Sequence, residues 1–223
     1  MRRLLLAAPV LLALTACGAG TAVSVGDESI STEHVDEVTR AYCDALGTVS
    51  NGSAVPLQLV RSSVVNALGL RAAVAEFAAS YDVTAGADYK QQVSALTQQL
   101  TQFDSATQQA IIDVEGAQAY ITSVLAGVGA ELEPSGSAAT QTTAAQDALN
   151  TWLGEHDIDL NPVYGLDAGG VQLDEDTGGR FDSTDASVSL AVSDIAKTAL
   201  GAGEDSSSAA AAAADLPQSQ RCG

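Results

Sequence analysis

Pro56-Leu57-Gln58-Leu59-Val60-Arg61-Ser62-Ser63-Val64-Val65-Asn66-Ala67-Leu68-Gly69-Leu70-Arg71-Ala72-Ala73-Val74-Ala75-Glu76-Phe77-Ala78-Ala79-Ser80-Tyr81 carries the strongest helical pattern in the chain. A proline at the first helical position lacks an N–H that would go unpaired there anyway, and its fixed φ suits the turn, so Pro56 opens the helix. Leu57, Val60, Val64, Leu68, Ala72, Ala75 and Ala79 then recur at spacings of three and four, which places them on one stripe running to Tyr81. A stripe of that length must either be buried against other elements or line a groove.

Upstream, Ala22 to Ile30 alternates apolar and polar residues about Gly26-Asp27, the pattern of a short strand or hairpin. Ser31 follows as a helix N-cap with His34 at its third position. Val35, Val38, Tyr42 and Leu46 give that first helix an apolar face, and Cys43 lies beside it. Downstream, Asp82-Val83 breaks the pattern and Thr84 is placed to cap a third helix from Ala85 to about Phe103, with Val93, Leu96 and Leu100 inward. Asp104 or Ser105 restarts a fourth helix carrying Ile111, Ile112, Val114, Tyr120, Ile121, Val124 and Leu125.

Glu133 to Ser137 is a turn by composition, and a further helix runs from Ala138 to His156 with Ala145, Leu149, Trp152 and Leu153 on its apolar side. Ile158 to Gly165 changes to strand periodicity, and Gly169-Gly170 suggests a turn into a second strand at Val171. Residues 174–189 are acidic and rich in Gly and Ser, the composition of a loop. Ser187 to Leu200 fits a short strand or a weak helix equally, and residues 201–223 form a low-complexity tail ending in Cys222-Gly223. The expected fold class is mainly α with a small β-element.

The amino terminus reads as a lipoprotein signal. Arg2 and Arg3 precede an uncharged apolar run, and Leu14-Thr15-Ala16-Cys17 ends it with small residues before a cysteine. The run is too short to span a bilayer, which takes about 20 residues. Residues 1–16 are expected to be removed, leaving Cys17 as an acylated amino terminus on the extracytoplasmic face of the cell membrane, with residues 17–21 as a spacer. Two or three acyl chains anchor stably, whereas one binds only marginally.

The full chain of 223 residues has a formal charge of −19, and losing Arg2 and Arg3 takes this to −21. Such acidity repels phosphate backbones, so nucleic acid is excluded as a partner. With Cys17 given to lipid, Cys43 and Cys222 are the other two cysteines in a disulfide-permissive compartment. A Cys43–Cys222 disulfide is expected, the alternative being two free thiols.

Signatures of catalysis are absent from the sequence: there is no G-x-S-x-G, P-loop, G-x-G-x-x-G or H-E-x-x-H. The two histidines, His34 and His156, stand at a helix start and a helix end among carboxylates, where solvated side chains are the ordinary reading. Asp174 to Asp185 imitates a twelve-residue calcium loop. Gly178 at its fifth position has no side-chain ligand, however, and Asp185 stands where a bidentate Glu belongs, so no metal and no cofactor are expected. Asn51-Gly52-Ser53 reads as a plain loop.

Three segments resemble the amino-terminal module of the SurA/PrsA-like chaperone family, in the form found in actinobacterial lipoproteins. Ala22 to Ser31 resembles the family's opening strand, turn and helix start. Arg61 to Thr84, with Leu68, Leu70, Val74, Ala78 and Tyr81-Asp82-Val83-Thr84, is similar to its long helix and the turn after it. Asn161-Pro162-Val163-Tyr164-Gly165 is similar to the late strand that returns to pair with the opening one, and the ending Leu216 to Gly223 looks like the termini of such lipoproteins.

The resemblance implies a helical domain over residues 22–200, finished by late strands. It further implies a non-catalytic chaperone that holds unfolded or exported polypeptides in an apolar groove, with Leu57, Val60, Val64 and Leu68 as candidate lining. The same four residues suit a core equally. Parvulin prolyl-isomerase domains of related chaperones have an aromatic, histidine-bearing core, and residues 104–156 lack it, so no isomerase activity is expected. The alternative function is an envelope structural or assembly lipoprotein that docks one specific protein partner.

Overall fold

The computed structural model describes residues 20–49, 54–172, 180–183, 211 and 213–222. The fold begins with a hairpin of β1 (Thr21–Val25) and β2 (Glu28–Ser31), turned at Gly26, whose φ of 53° favours glycine. A bulge between Thr21 and Val23 lets Ala22 and Val23 both turn inward. β1 is the middle strand of an antiparallel sheet of order β2-β1-β4, in which β4 (Ile158–Leu160) sets Leu160 opposite Val23. The opening strand therefore pairs with a late one, within a fold that is mainly helical.

Ser31 caps α1 (Thr32–Val49) as its sequence position indicates, its Oγ accepting from the His34 backbone N–H at 3.1 Å. Val35 and Val38 of α1 are buried and Tyr42 and Leu46 half-buried.

The central element is α2 (Leu57–Ala79), entered from the two-residue strand β3 (Val55–Pro56). Its first half packs Val60, Val64, Val65 and Leu68 against Val23, Val25, Val35, Val38 and Tyr164. Its second half packs Leu70, Val74, Phe77 and Ala78 against a different set, Ile121, Val124, Val128, Ala145 and Leu149. The single stripe expected through Ala75 and Ala79 is thus corrected, because both alanines are exposed. Burying a Leu, Val or Phe removes far more apolar surface from water than burying an Ala, so the larger side chains set the inward face. Phe77, fully buried, meets Tyr81 edge-on at 5.2 Å and Trp152 at 6.1 Å.

Two further helices differ from expectation. The third helix, α3 (Ala87–Gln99), is shorter than 85–103 and has Gly86 as its N-cap, with no side-chain cap from Thr84; the Gly86 N–H donates to Ser123 Oγ at 2.8 Å instead. The single helix expected after Asp104 is two helices, α4 (Ser105–Glu115) and α5 (Ala117–Leu132), meeting at Gly116. A Cβ on Gly116 would collide with the Ile112 carbonyl oxygen, so the corner needs a glycine. Asp104 caps α4, accepting from the Ala106 and Thr107 N–H groups. Those bonds, Thr107 first, hold its carboxyl below the ordinary range.

Ser137 caps α6 (Ala138–Glu155), which lies along α5. Gly129 allows the close approach, since a Cβ there would meet the Gln141 carbonyl oxygen.

After β4 the chain does not stay extended to Gly165. Residues Pro162–Tyr164 form a 3-10 turn, with the Val163 N–H on Asn161 Oδ1 at 3.1 Å and Gly165 at a φ of 71°. A proline N cannot donate to a strand ladder, which ends the sheet at Leu160. β5 (Leu166–Gln172) continues past Gly169-Gly170, where a turn was expected, with a bulge between Asp167 and Val171, and pairs antiparallel with β6 (Arg180–Ser183), inside the stretch expected to be loop.

At the other end, β7 (Arg221–Cys222) pairs with β3, and Ala213, Leu216 and Cys222 are buried, so the end of the expected tail belongs to the fold. Among the described residues no helix is long and apolar enough to cross a membrane.

Candidate functional site

α3 is the least embedded helix. None of its residues is buried; it holds on through half-buried Val93 and Leu96, packed with Phe103 against Leu100, Ile111 and Ile112. The sequence explains this, because between Asp88 and Gln99 only Tyr89, Val93, Ala95 and Leu96 are apolar or aromatic. A cleft of about 520 Å³ consequently opens between α3 and α4. Tyr89, Lys90, Val93 and Thr97 form one wall, Ser105, Gln108, Gln109 and Ile112 the other, and Arg71 from α2 closes one end.

Much of the cleft is held rigid. Arg71 Nη1 donates to Asp113 Oδ1 at 3.0 Å, and Gln109 Nε2 donates to the same oxygen at 2.9 Å. The Arg71 guanidinium lies 5.0 Å above the Tyr120 ring, and Tyr89 meets that ring edge-on at 5.4 Å. Burial pushes the Tyr120 phenol above its usual pKa, with Arg71 opposing, so the hydroxyl stays a neutral donor at physiological pH.

Gln108 donates to the Leu100 and Phe103 carbonyls, at 3.1 and 2.9 Å, which clamps the α3–α4 connection. Lys90, by contrast, is exposed and makes no ion pair among the described residues. The cleft thus offers the Ser105 hydroxyl and the exposed Lys90 cation over a floor of half-buried Val93 and the edge of Ile112, which is 8% exposed; Thr97 Oγ1 already donates to the Val93 carbonyl at 2.7 Å and Arg71 is paired with Asp113.

The residues singled out from sequence lie elsewhere. Val60, Val64 and Leu68 are 4%, 0% and 8% exposed and belong to the core, with Leu57 half-buried against it. As groove lining they are corrected: α1, the β1–β2–β4 sheet and Tyr164 already cover that face of α2. Cys43 of α1 and Cys222 of β7 are joined as a disulfide, with Cα atoms 4.9 Å apart.

Cys17, Asn51-Gly52-Ser53 and residues 184–200 lie outside the described residues, as does the Asp174–Asp185 loop apart from residues 180–183. His34 sits in the first turn of α1. His156 ends α6, its ring stacked on Trp152 at 3.9 Å and its Nδ1 2.8 Å from the Trp152 carbonyl oxygen. No group of three metal-capable side chains gathers among the described residues.

The cleft was hidden in the sequence because its walls come from three helices and its polar members look like solvated helix faces. One signal was available: Lys90 is one of only two lysines in the chain. Comparisons with protein-family models, with curated proteins and with solved structures find no match to this chain.

Proposed function

We propose that this protein is an exported, lipid-anchored module that holds unfolded or outward-bound polypeptides without catalysis, and that the α3–α4 cleft receives them. The observation that carries the reading is the cleft itself: open, of a volume usual for binding sites, and floored by Val93 and the edge of Ile112 between hydrogen-bonding side chains. From Tyr89 to Thr97 the wall is about 12 Å long, at 1.5 Å per helical residue. That accommodates about four residues of extended chain. In this reading Ser105 pairs with a client backbone and Lys90 with a client carbonyl or carboxylate, whereas Thr97 Oγ1, donating to the Val93 carbonyl, can only accept.

The lipoprotein-signal pattern ending at Cys17 and the SurA-like segments of the sequence support an extracytoplasmic, membrane-tethered setting. The acidic remainder of the surface disfavours polyanions and attracts cationic segments.

The test uses the chain from residue 17 with Cys17→Ser, mixed with several unrelated unfolded proteins while light scattering is followed. Suppressed aggregation of all of them at near-stoichiometric ratios is expected. Lys90→Glu should weaken it, with circular dichroism unchanged. Binding to one folded partner only, with no suppression, would favour the docking-lipoprotein alternative. Proline isomerisation should proceed at its uncatalysed rate, and clear acceleration would contradict a purely holding role.

A further inference from the structure

The carboxy-terminal strand is attached in an unusual way. β7 has two residues, and its ladder with β3 sets Cys222 opposite Val55 and Arg221 opposite Pro56. Pro56 has no N–H to give, so this ladder is short of donors. Beyond it, the segment 213–222 is held by burial of Ala213, Leu216 and Cys222 and by the one covalent link, Cys43–Cys222, which spans a sequence separation of 179.

Beneath the strand lie β3, the flank of α1 that bears Cys43, and α2. Tyr42, Leu46, Val55 and Leu57 are half-buried members of the cluster that also contains Cys222.

We infer that residues 213–222 form a redox-latched strap: with Cys43–Cys222 oxidised its β7 end lies over α1, β3 and α2, and with the bond reduced it lifts away. The reaction consumes a dithiol reductant of the exterior. One thiolate of the dithiol attacks a sulfur of the Cys43–Cys222 bond, giving a mixed disulfide, and its second thiol resolves it. Cys43 and Cys222 leave as two thiols, and the dithiol becomes a disulfide. The second half of α2 packs with α5 and α6 in a cluster that does not contain Cys222, the two clusters sharing Trp152, Leu153, Ile158, Leu160 and Leu166 as half-buried neighbours. The strap stands independently of whether the α3–α4 cleft binds polypeptides.

The experiment compares the oxidised chain (residues 17–223, Cys17→Ser) with the same protein after dithiothreitol. Peptide-level hydrogen exchange and binding of the apolar dye ANS are read for both. After reduction, residues 213–222 should exchange at least about tenfold faster and ANS fluorescence should rise, while peptides from α5 and α6 keep their protection. The Cys43→Ser/Cys222→Ser double variant should behave like the reduced protein. Unchanged exchange of 213–222 would overturn the inference, because packing alone would then hold the strand. Loss of protection throughout α2, α5 and α6 would also overturn it, because the disulfide would then be a global staple and not a latch.

Discussion

Tyr42 ties α1 to α4 by donating its phenolic hydrogen to Glu115 Oε1 across 73 residues of sequence. Burial, then the bond to Glu115 and its charge, push the Tyr42 phenol well above its usual value of 10.0. A group whose pKa is raised by folding contributes its stability fully below the unfolded value, and that contribution is lost as pH rises past it. Stability measured by urea titration should therefore fall as pH climbs above 10, and Tyr42→Phe should remove much of that fall. Near neutral pH the same substitution should cost about 1 kcal/mol, the usual worth of one intramolecular hydrogen bond. The apolar spacing that contains Tyr42 was readable from the sequence. Its partner was not, because a hydrogen bond between distant helices leaves no local pattern.

At the scale of elements, helix starts were the most legible feature. Ser31 and Ser137 cap where short polar residues precede apolar periodicity, and Asp104 does the same for α4. Interruptions were harder to read. Gly116 splits α4 from α5, yet the apolar spacing from Ile111 to Leu125 continues across it, so periodicity alone joins the two helices. The corner depends on close approach to the Ile112 carbonyl, and Gly116→Ala should destabilise the protein by about 1–3 kcal/mol in thermal unfolding.

Strand limits failed for a related reason. β6 lies within an acidic Gly/Ser-rich stretch whose composition favours loop, and backbone pairing with β5 overrides that preference. The stripe on α2 was right as far as Leu68. Beyond it the helix serves a second cluster on another face, and a pattern that assumes one buried face misses such a turn.

Across the whole molecule, the fold closes its ends twice. β1 pairs with β4, and β7 pairs with β3 beside the Cys43–Cys222 bond. The mainly helical class with a small strand element was legible because both periodicities are strong in this chain. The candidate site was not, because the stripe that suggested a groove is the core, and the open cleft lies on polar helix faces. A binding surface on α3 and α4 also fits the packing, since α3 is the helix with the least buried to lose.

The most direct measurement of polypeptide holding at this cleft is hydrogen exchange of the chain from residue 17 (Cys17→Ser) with and without an excess of a permanently unfolded polypeptide. Slower exchange concentrated in residues 87–115, weakened by Lys90→Glu, is the predicted result; unchanged exchange there, or protection confined to other elements, would contradict it.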